Sequence, residues 1–199
     1  MKPRRVEMAN REFIMACILE GLEYIHEMQF IHRDIKPENL VFGADGYLHI
    51  TDFGVARPYR EQNSEDASGT PSYMAPEVLF KRNHTYNSDL YPVGVMLYEI
   101  IMGRRPYAGK FRSEIREEMS LEQAKISDFD INHENITFSS QCIDLTNQLL
   151  NRDPKERLGY IDGIQEVKKH PWFAGFNWQK LSLKQLPAPF IPSVYTLLI

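Results

Sequence analysis

The chain has 199 residues, 43% of them hydrophobic, and a formal net charge of −4. This is enough for one sizeable core, and the acidic balance offers no basic field for nucleic acid or an anionic membrane, so neither is expected as a partner. Cys17 and Cys142 are too few for a disulfide framework, and no apolar run is long enough to cross a bilayer, which predicts a soluble, cytoplasmic protein.

The first predicted element is an amphipathic helix over residues 7–28. Its apolar residues recur at helical spacing, at Ile14, Ile18, Leu22 and Ile25. The helix leads into the sequence HRDIKPEN at residues 32–39, and the triplet DFG follows at residues 52–54. These two motifs are the most informative part of the chain.

The motifs combine the side chains that phosphoryl transfer requires. Asp34 would accept or orient the proton of an attacking hydroxyl, and Lys36 would neutralise charge on the moving phosphoryl group. Asn39 and Asp52 would hold Mg²⁺ against the phosphates of ATP. The alternative is a charged surface turn followed by an ordinary strand, and the match of both motifs argues against it.

A β-hairpin is predicted between the two motifs. Residues 40–42 and 47–51 are strand-like, with apolar alternation at Leu48 and Ile50, and GADG at residues 43–46 is a turn sequence. A hairpin would fix the distance between Asn39 and Asp52, so that both metal ligands converge on one side.

The rest of the chain is predicted to be mainly helical. Residues 55–68 are polar and lack periodicity, which indicates a mobile loop, and a buried helix should then run from Asp89 to Met102 with Gly103 as its stop. Further helices are predicted at residues 111–119, 139–150 and 161–170. The fold class is therefore α+β, with one small hairpin.

In this order the motifs resemble the C-terminal lobe of a eukaryotic protein kinase, which implies one kinase-like domain over residues 1–199. The resemblance makes residues 32–39 the catalytic loop and residues 52–77 the activation segment. The residues implied on the nucleotide side are Lys36, Glu38, Asn39, Val41 and Asp52. The residues implied to support the site or regulate it are His32, Arg33, Phe53, Gly54, Arg57, Asp66, Glu77, Asp89 and Arg157.

Three of these residues carry specific expectations. Glu77, in the triplet Ala-Pro-Glu that closes the activation segment, should form a buried pair with Arg157, and Asp89 should cap backbone amides near the catalytic loop. Taken singly, these charges could equally be solvated, and Asp89 could be a plain helix cap.

The activation segment departs from the family pattern at one position. Asp66 stands where the family usually carries a phosphorylated Ser or Thr, and its carboxylate is expected to hold the segment partly against Arg33 and Arg57. Ser64 and Ser68 remain possible sites of modification.

Other features resemble particular kinase classes. Lys36 and Thr70 are similar to the Ser/Thr-specific kinases, and Thr70 is counted with the catalytic residues. The aromatic tail over residues 171–199 resembles the AGC group, which includes the cyclic-nucleotide-dependent kinases; a packing strip is the alternative. Within that group, Glu38 and Glu99 would contact basic residues upstream of the substrate hydroxyl, although Glu99 could instead pair within its helix.

Only 31 residues precede His32, and none of the 11 glycines forms a GxGxxG motif. The N-terminal lobe of a kinase is therefore expected to be absent, and the isolated chain is expected to be inactive. One hypothesis is an active kinase whose N-lobe lies on an unrecorded segment or a partner chain. The other is a non-catalytic module that docks through an apolar patch of Leu40, Val41 and Phe53.

Overall fold

Helices make up most of the computed structural model, which describes residues 8–65, 67–133 and 138–192. The helices are α1 (Met8–Glu27), α2 (Pro76–Leu79), α3 (Leu90–Met102), α4 (Arg112–Leu121), α5 (Asp128–His133), α6 (Ser140–Leu149), α7 (Ile164–Lys168) and α8 (Trp178–Ser182). The strands are β1 (Phe30–Ile31), β2 (Leu40–Phe42), β3 (Leu48–Ile50) and β4 (Arg57–Pro58). Asp66 and residues 193–199 of the predicted tail lie outside the described residues.

The two longest helices supply much of the core, as predicted. α1 buries Ile18 and Leu22 completely, and α3 is buried along nearly its whole length. α3 begins directly after Asp89 and ends at Gly103, whose left-handed φ of 68° stops the helix. α6 packs against α3, so the core lies between these helices and extends under α1.

The predicted hairpin is confirmed. β2 and β3 are antiparallel, with Leu40 opposite Ile50 and Phe42 opposite Leu48. α1 packs against β3, and Leu48 is buried in that contact. The hairpin is thus anchored to the core on one side, and this anchorage fixes where the residues before and after it emerge.

Several short elements were not predicted. β1 pairs with β4, so residues 57–58 of the expected loop form part of a second two-stranded sheet. Strands of two residues and helices as short as α2 and α8 contain too few residues to show a hydrophobic period. The helix predicted over residues 161–170 is limited to Ile164–Lys168, because residues 161–163 form a turn.

The described part of the tail crosses the hairpin turn. The Tyr47 hydroxyl donates to the Leu186 carbonyl (2.8 Å), and Phe190 packs edge-on against Phe42. Among the described residues, no helix has the length and apolar character needed to span a bilayer.

Candidate active site

Asp34 lies at the centre of a hydrogen-bond network. Its Oδ1 accepts from both the backbone amide and the hydroxyl of Thr70, each at 2.8 Å, and its Oδ2 is 2.9 Å from the Lys36 ammonium. Lys36 also donates to the Thr70 hydroxyl (2.8 Å), so that each of the three side chains contacts the other two. The Asn39 amide donates to the Asp34 backbone carbonyl (2.8 Å) and more weakly to its carboxylate (3.2 Å).

The network keeps Asp34 ionised. Partial burial disfavours the charged form, but hydrogen bonds from Lys36 and Thr70 outweigh it and hold the pKa of Asp34 below its ordinary value. A carboxylate with a lowered pKa is a weak base. It can orient a hydroxyl firmly, however, because it accepts hydrogen bonds with both oxygens.

Loop 32–39 is fixed to the core by Asp89. The buried Asp89 carboxylate accepts from the backbone amides of His32 and Arg33, both at 2.8 Å, as the expectation of a cap near this loop required. His26 contacts the same carboxylate through Nε2 (2.9 Å). Burial raises the pKa of Asp89, but the His26 contact and the two amides outweigh this, so the net pKa is lowered.

The fixation matters because the backbone of Arg33 is strained. Its φ is 70°, a value that residues other than glycine seldom adopt and that costs roughly 1–3 kcal/mol. Two amide bonds to a buried carboxylate are each stronger than neutral hydrogen bonds. Asp89 therefore supplies the interactions that keep loop 32–39 in this conformation.

The hairpin brings the two predicted metal ligands to the same end. The Thr51 amide donates to the Asn39 carbonyl (2.8 Å), so Asp52 follows directly beside Asn39. Asp52 is exposed, and one of its carboxylate oxygens accepts from the Gly54 amide (3.1 Å).

The donor set suits Mg²⁺. Carboxylate and amide oxygens are its preferred ligands, and it is held by few protein groups together with water and substrate phosphates. Within the described ranges no cluster of three or more His, Cys, Asp or Glu residues could hold a metal ion. Two ligands at the end of a hairpin are compatible with that finding.

The side chains that follow Asp52 lie on the open side of the site. Phe53 is 53% exposed and packs edge-on against the His32 ring, which is itself fully buried. Val41 is also exposed (46%), whereas Leu40 packs partly against the core. Of the three residues of the predicted apolar patch, Val41 and Phe53 are exposed, and Leu40 is more buried than expected.

Segment 52–77 is anchored at several points, some of them within residues 55–68, which were expected to be a mobile loop. Arg33 donates through Nε to the Val55 carbonyl (2.7 Å), and Asn63, which is buried, donates to the His84 carbonyl (3.0 Å). Arg57 is exposed and donates to the neighbouring Ala56 carbonyl. The expected contacts of Asp66 lie outside the described residues.

The end of segment 52–77 is held by the predicted buried ion pair. Glu77 (3% exposed) and Arg157 (1% exposed) form two parallel bonds, Nη1 to Oε1 at 2.7 Å and Nη2 to Oε2 at 2.8 Å. Arg157 also donates to the Asn87 side chain (3.1 Å) and to the Asn151 carbonyl (3.0 Å). This geometry satisfies the buried charges in the way that makes such a pair tolerable.

One of the two predicted substrate carboxylates, Glu99, is hydrogen-bonded to a tyrosine. Glu99 accepts from the Tyr73 hydroxyl (2.8 Å), so its partner is across the fold rather than within its own helix. Burial, then Glu99 and more weakly Glu38, raises the pKa of Tyr73. Glu38 is exposed, Glu99 is half-buried, and a cavity of about 1050 Å³ opens beside Glu99.

Sequence reasoning missed two residues of the site. His26 contacts Asp89, and Tyr73 contacts Glu99, but neither belongs to the motifs quoted above. His26 lies in the last turn of α1, where a polar residue is unremarkable. Only the position of Asp89, 63 residues away in sequence, reveals its role.

The chain as a whole is similar to known proteins. The family model described as "Protein kinase domain" matches residues 2–173. The chain is 37% identical over 180 residues to cGMP-dependent protein kinase 2 of Rattus norvegicus. This aligned region covers 89% of the chain and 23% of the relative.

Other relatives are similar. Serine/threonine-protein kinase AtPK1/AtPK6 of Arabidopsis thaliana is 34% identical over 90% of the chain and 37% of the relative. Ribosomal protein S6 kinase alpha-2 of Mus musculus is 34% identical over 92% of the chain and 24% of the relative. The chain thus spans less than two fifths of these relatives, and the expected resemblance to cyclic-nucleotide-dependent kinases is confirmed.

Proposed function

This chain belongs to the protein kinase domain family, and on that premise we propose that it provides the phosphoryl-transfer site of a Ser/Thr protein kinase. The observation that carries the proposal is the bonding of the Asp34 carboxylate to both Lys36 and Thr70. In this proposal residues 32–39 are the catalytic loop, residues 52–77 are the activation segment, and residues 171–199 are an AGC-like tail of one domain, 1–199.

Asp34 orients the substrate hydroxyl and accepts its proton. Its lowered pKa makes it a weak base, so orientation is its larger contribution. Phosphoryl transfer depends mostly on positioning and electrostatic stabilisation, and a fixed, ionised carboxylate suits that requirement. Lys36, whose ammonium lies 2.9 Å from Asp34, neutralises charge on the transferring group.

Asn39 and Asp52 hold Mg²⁺ in the proposal, and the ion neutralises charge on the phosphates of ATP when it is bound. Val41 and Glu38 complete the nucleotide side that the chain itself provides. The support for this assignment is the oxygen donor set at the end of the hairpin.

The proposed substrate is a protein with Ser or Thr preceded by basic residues. Glu38 is exposed and Glu99 is half-buried, and carboxylates at these two positions would favour a cationic side chain in the substrate. A peptide array would test this: a preference for upstream Arg or Lys should weaken in Glu99→Gln. Equal use of basic and neutral peptides by the parent protein would exclude a basic context.

We also propose that the face carrying Val41 and Phe53 is covered in the working protein by an N-terminal lobe or a partner chain. Both side chains are about half exposed at the point where the nucleotide would bind. With that face open, the isolated chain holds the phosphates from one side only and should transfer them very slowly. A cytoplasmic setting is supported by the free thiols Cys17 and Cys142.

The test uses the 199-residue chain with Mg²⁺ and ATP. Saturation at ten times Kd should stabilise the chain by about 1.4 kcal/mol, seen as a shift in its thermal unfolding. Asp52→Asn should remove most of this shift, because it removes a metal ligand. Asp162→Asn, at an exposed carboxylate of the surface pair with Lys169, is the matched control and should keep the shift.

A phosphate-transfer assay on the same proteins completes the test. Any residual transfer should disappear in Asp34→Asn, and equal nucleotide stabilisation of the parent chain and Asp52→Asn would contradict the proposed site. Turnover at the usual kinase rate of roughly 1–100 s⁻¹ by the isolated chain would contradict the need for a covering lobe. Nucleotide binding without transfer, in any assembly with a covering partner, would favour the alternative of an interaction module.

A further inference from the structure

Three arginines from one stretch of the chain donate to residues 67–79. Arg105, just after α3, donates to the Ser72 hydroxyl (2.7 Å), and Arg112, at the start of α4, donates to the Ala67 carbonyl (3.1 Å). Arg116 donates to the Leu79 carbonyl through both Nε (2.9 Å) and Nη2 (2.5 Å). We call Arg105, Arg112 and Arg116 the α4 clamp.

The α4 clamp has a rigid base. Arg112 and Arg116 are four residues apart and therefore lie on one face of α4. The buried residues Ile115 and Met119 have the same spacing and anchor the helix in the core. The two guanidinium groups are thus held at fixed positions along residues 67–79.

Two of the three acceptors, the Leu79 and Ala67 carbonyls, are backbone groups that need an outside partner. Leu79 is the last residue of α2, and the final carbonyls of a helix have no partner within the helix. A cation at that end also meets the negative end of the helix dipole. Ala67 lies in a stretch without helix or strand, where no ladder of backbone bonds satisfies its carbonyl. Bonds from guanidinium groups are about twice as strong as neutral ones.

Thr70 lies between these attachment points. Its amide and hydroxyl both contact Asp34, and the bond between the Thr70 carbonyl and the Tyr73 amide continues the chain towards α2. The backbone is close-packed here, since a Cβ on Gly69 would lie 2.3 Å from the Arg33 carbonyl oxygen. A shift of residues 67–79 would therefore disturb the bonds between Thr70 and Asp34.

We propose that the α4 clamp is a set of positioning residues that holds Thr70 on Asp34. The meaning of this for phosphoryl transfer rests on the function proposed above, although the tether itself does not require catalysis. The clamp works through neutral groups, two backbone carbonyls and the Ser72 hydroxyl, so it needs no modification of segment 52–77.

The test is site-resolved amide hydrogen exchange on the 199-residue chain. In Arg112→Ala/Arg116→Ala, the Thr70 and Tyr73 amides should exchange about tenfold faster or more, because two charge-assisted bonds have been removed. Amides in α1 and α6 should keep their rates. Arg104→Ala is the matched control: Arg104 neighbours Arg105 but donates to the Tyr98 hydroxyl of α3, and its loss should leave Thr70 unchanged.

A rescue variant separates positioning from general stability. Arg116→Lys keeps a cation that can reach the Leu79 carbonyl. Combined with Arg112→Ala, it should therefore restore at least half of the amide protection that Arg112→Ala/Arg116→Ala loses, whereas Arg116→Gln in the same background should restore less. If the double variant does not fold, Arg112→Ala alone provides the measurement at Thr70.

Two results would overturn the proposal: unchanged exchange at Thr70, or equally faster exchange throughout the chain. Failure of nucleotide binding would contradict the proposed function and leave the exchange result readable, so the two failures are distinct.

Discussion

Replacement of Arg157 by methionine should be among the most destabilising single changes in this chain. Arg157 is 1% exposed and bonds to Glu77, Asn87 and Asn151, so its loss leaves the Glu77 carboxylate buried without a cation. Breaking a buried pair from one side costs about 3–5 kcal/mol, a large part of the typical total of about 5–15 kcal/mol. For a domain of this size the melting temperature should fall by about 6–20 °C.

Replacement of Glu77 as well as Arg157 tests whether the cost comes from the unpaired charge. Glu77→Gln/Arg157→Met removes both charges and should be more stable than Arg157→Met alone, with a coupling of about 2 kcal/mol in a double-mutant cycle. Lys169→Met is the control, because it breaks the exposed pair with Asp162 and should cost at most about 1 kcal/mol.

Urea unfolding followed by the fluorescence of Trp172 and Trp178 measures these free energies. Both tryptophans pack against Phe173 in the folded chain, so their environment changes on unfolding. A cost below about 1 kcal/mol for Arg157→Met would refute the reasoning, since surface pairs have that value. A double variant no more stable than Arg157→Met would show that the loss comes from packing rather than charge.

Two other changes test single features of the fold. The lowered pKa of Asp89 contributes stability that is complete above its unfolded value of about 3.9 and is lost as the pH falls through the folded pKa. When the pH is lowered from about 5 to about 2, the urea concentration at the unfolding midpoint should therefore decrease more steeply in the parent chain than in Asp89→Asn. Equal slopes would contradict this assignment. Gly46 has a φ of 79°, and a Cβ there would lie 2.3 Å from the Phe190 carbonyl oxygen, so Gly46→Ala should displace the tail and cost roughly 1–3 kcal/mol. Chymotrypsin should then cut after Phe190 faster, and an unchanged rate would show that the tail accommodates the methyl group.

The sequence was sufficient wherever a short pattern determines the local structure. The turn sequence at residues 43–46 predicted the hairpin, and the apolar run before Gly103 predicted α3, because in both cases neighbouring residues decide the conformation. The pairing of Glu77 with Arg157 was predicted only through resemblance to a family. Nothing in the spacing of 80 residues indicates that the two side chains meet.

What could not be predicted depends on packing between distant elements. Residues 57–58 form a strand because β1 offers an edge, and the two residues by themselves carry no strand signal. The α4 clamp is similar. Arg112 and Arg116 look like solvated charges on a polar helix, and only the position of residues 67–79 beside α4 gives them acceptors. The hydrogen-bond partners of these polar residues thus become evident only from the packing of the helices.

The same dependence explains why the catalytic motif cannot shape itself. Arg33 and Asp52, one from each motif, adopt positive φ values of 70° and 61°, and each conformation is unfavourable by roughly 1–3 kcal/mol for such residues. The compensating bonds for Arg33 come from Asp89, at the start of the buried helix α3, and from Val55. A peptide carrying residues 32–54 alone would relax at both positions and separate Asn39 from Asp52. The motif therefore has its geometry only while α3 is packed, so mutations in the core at α3 should impair the site before they unfold the chain.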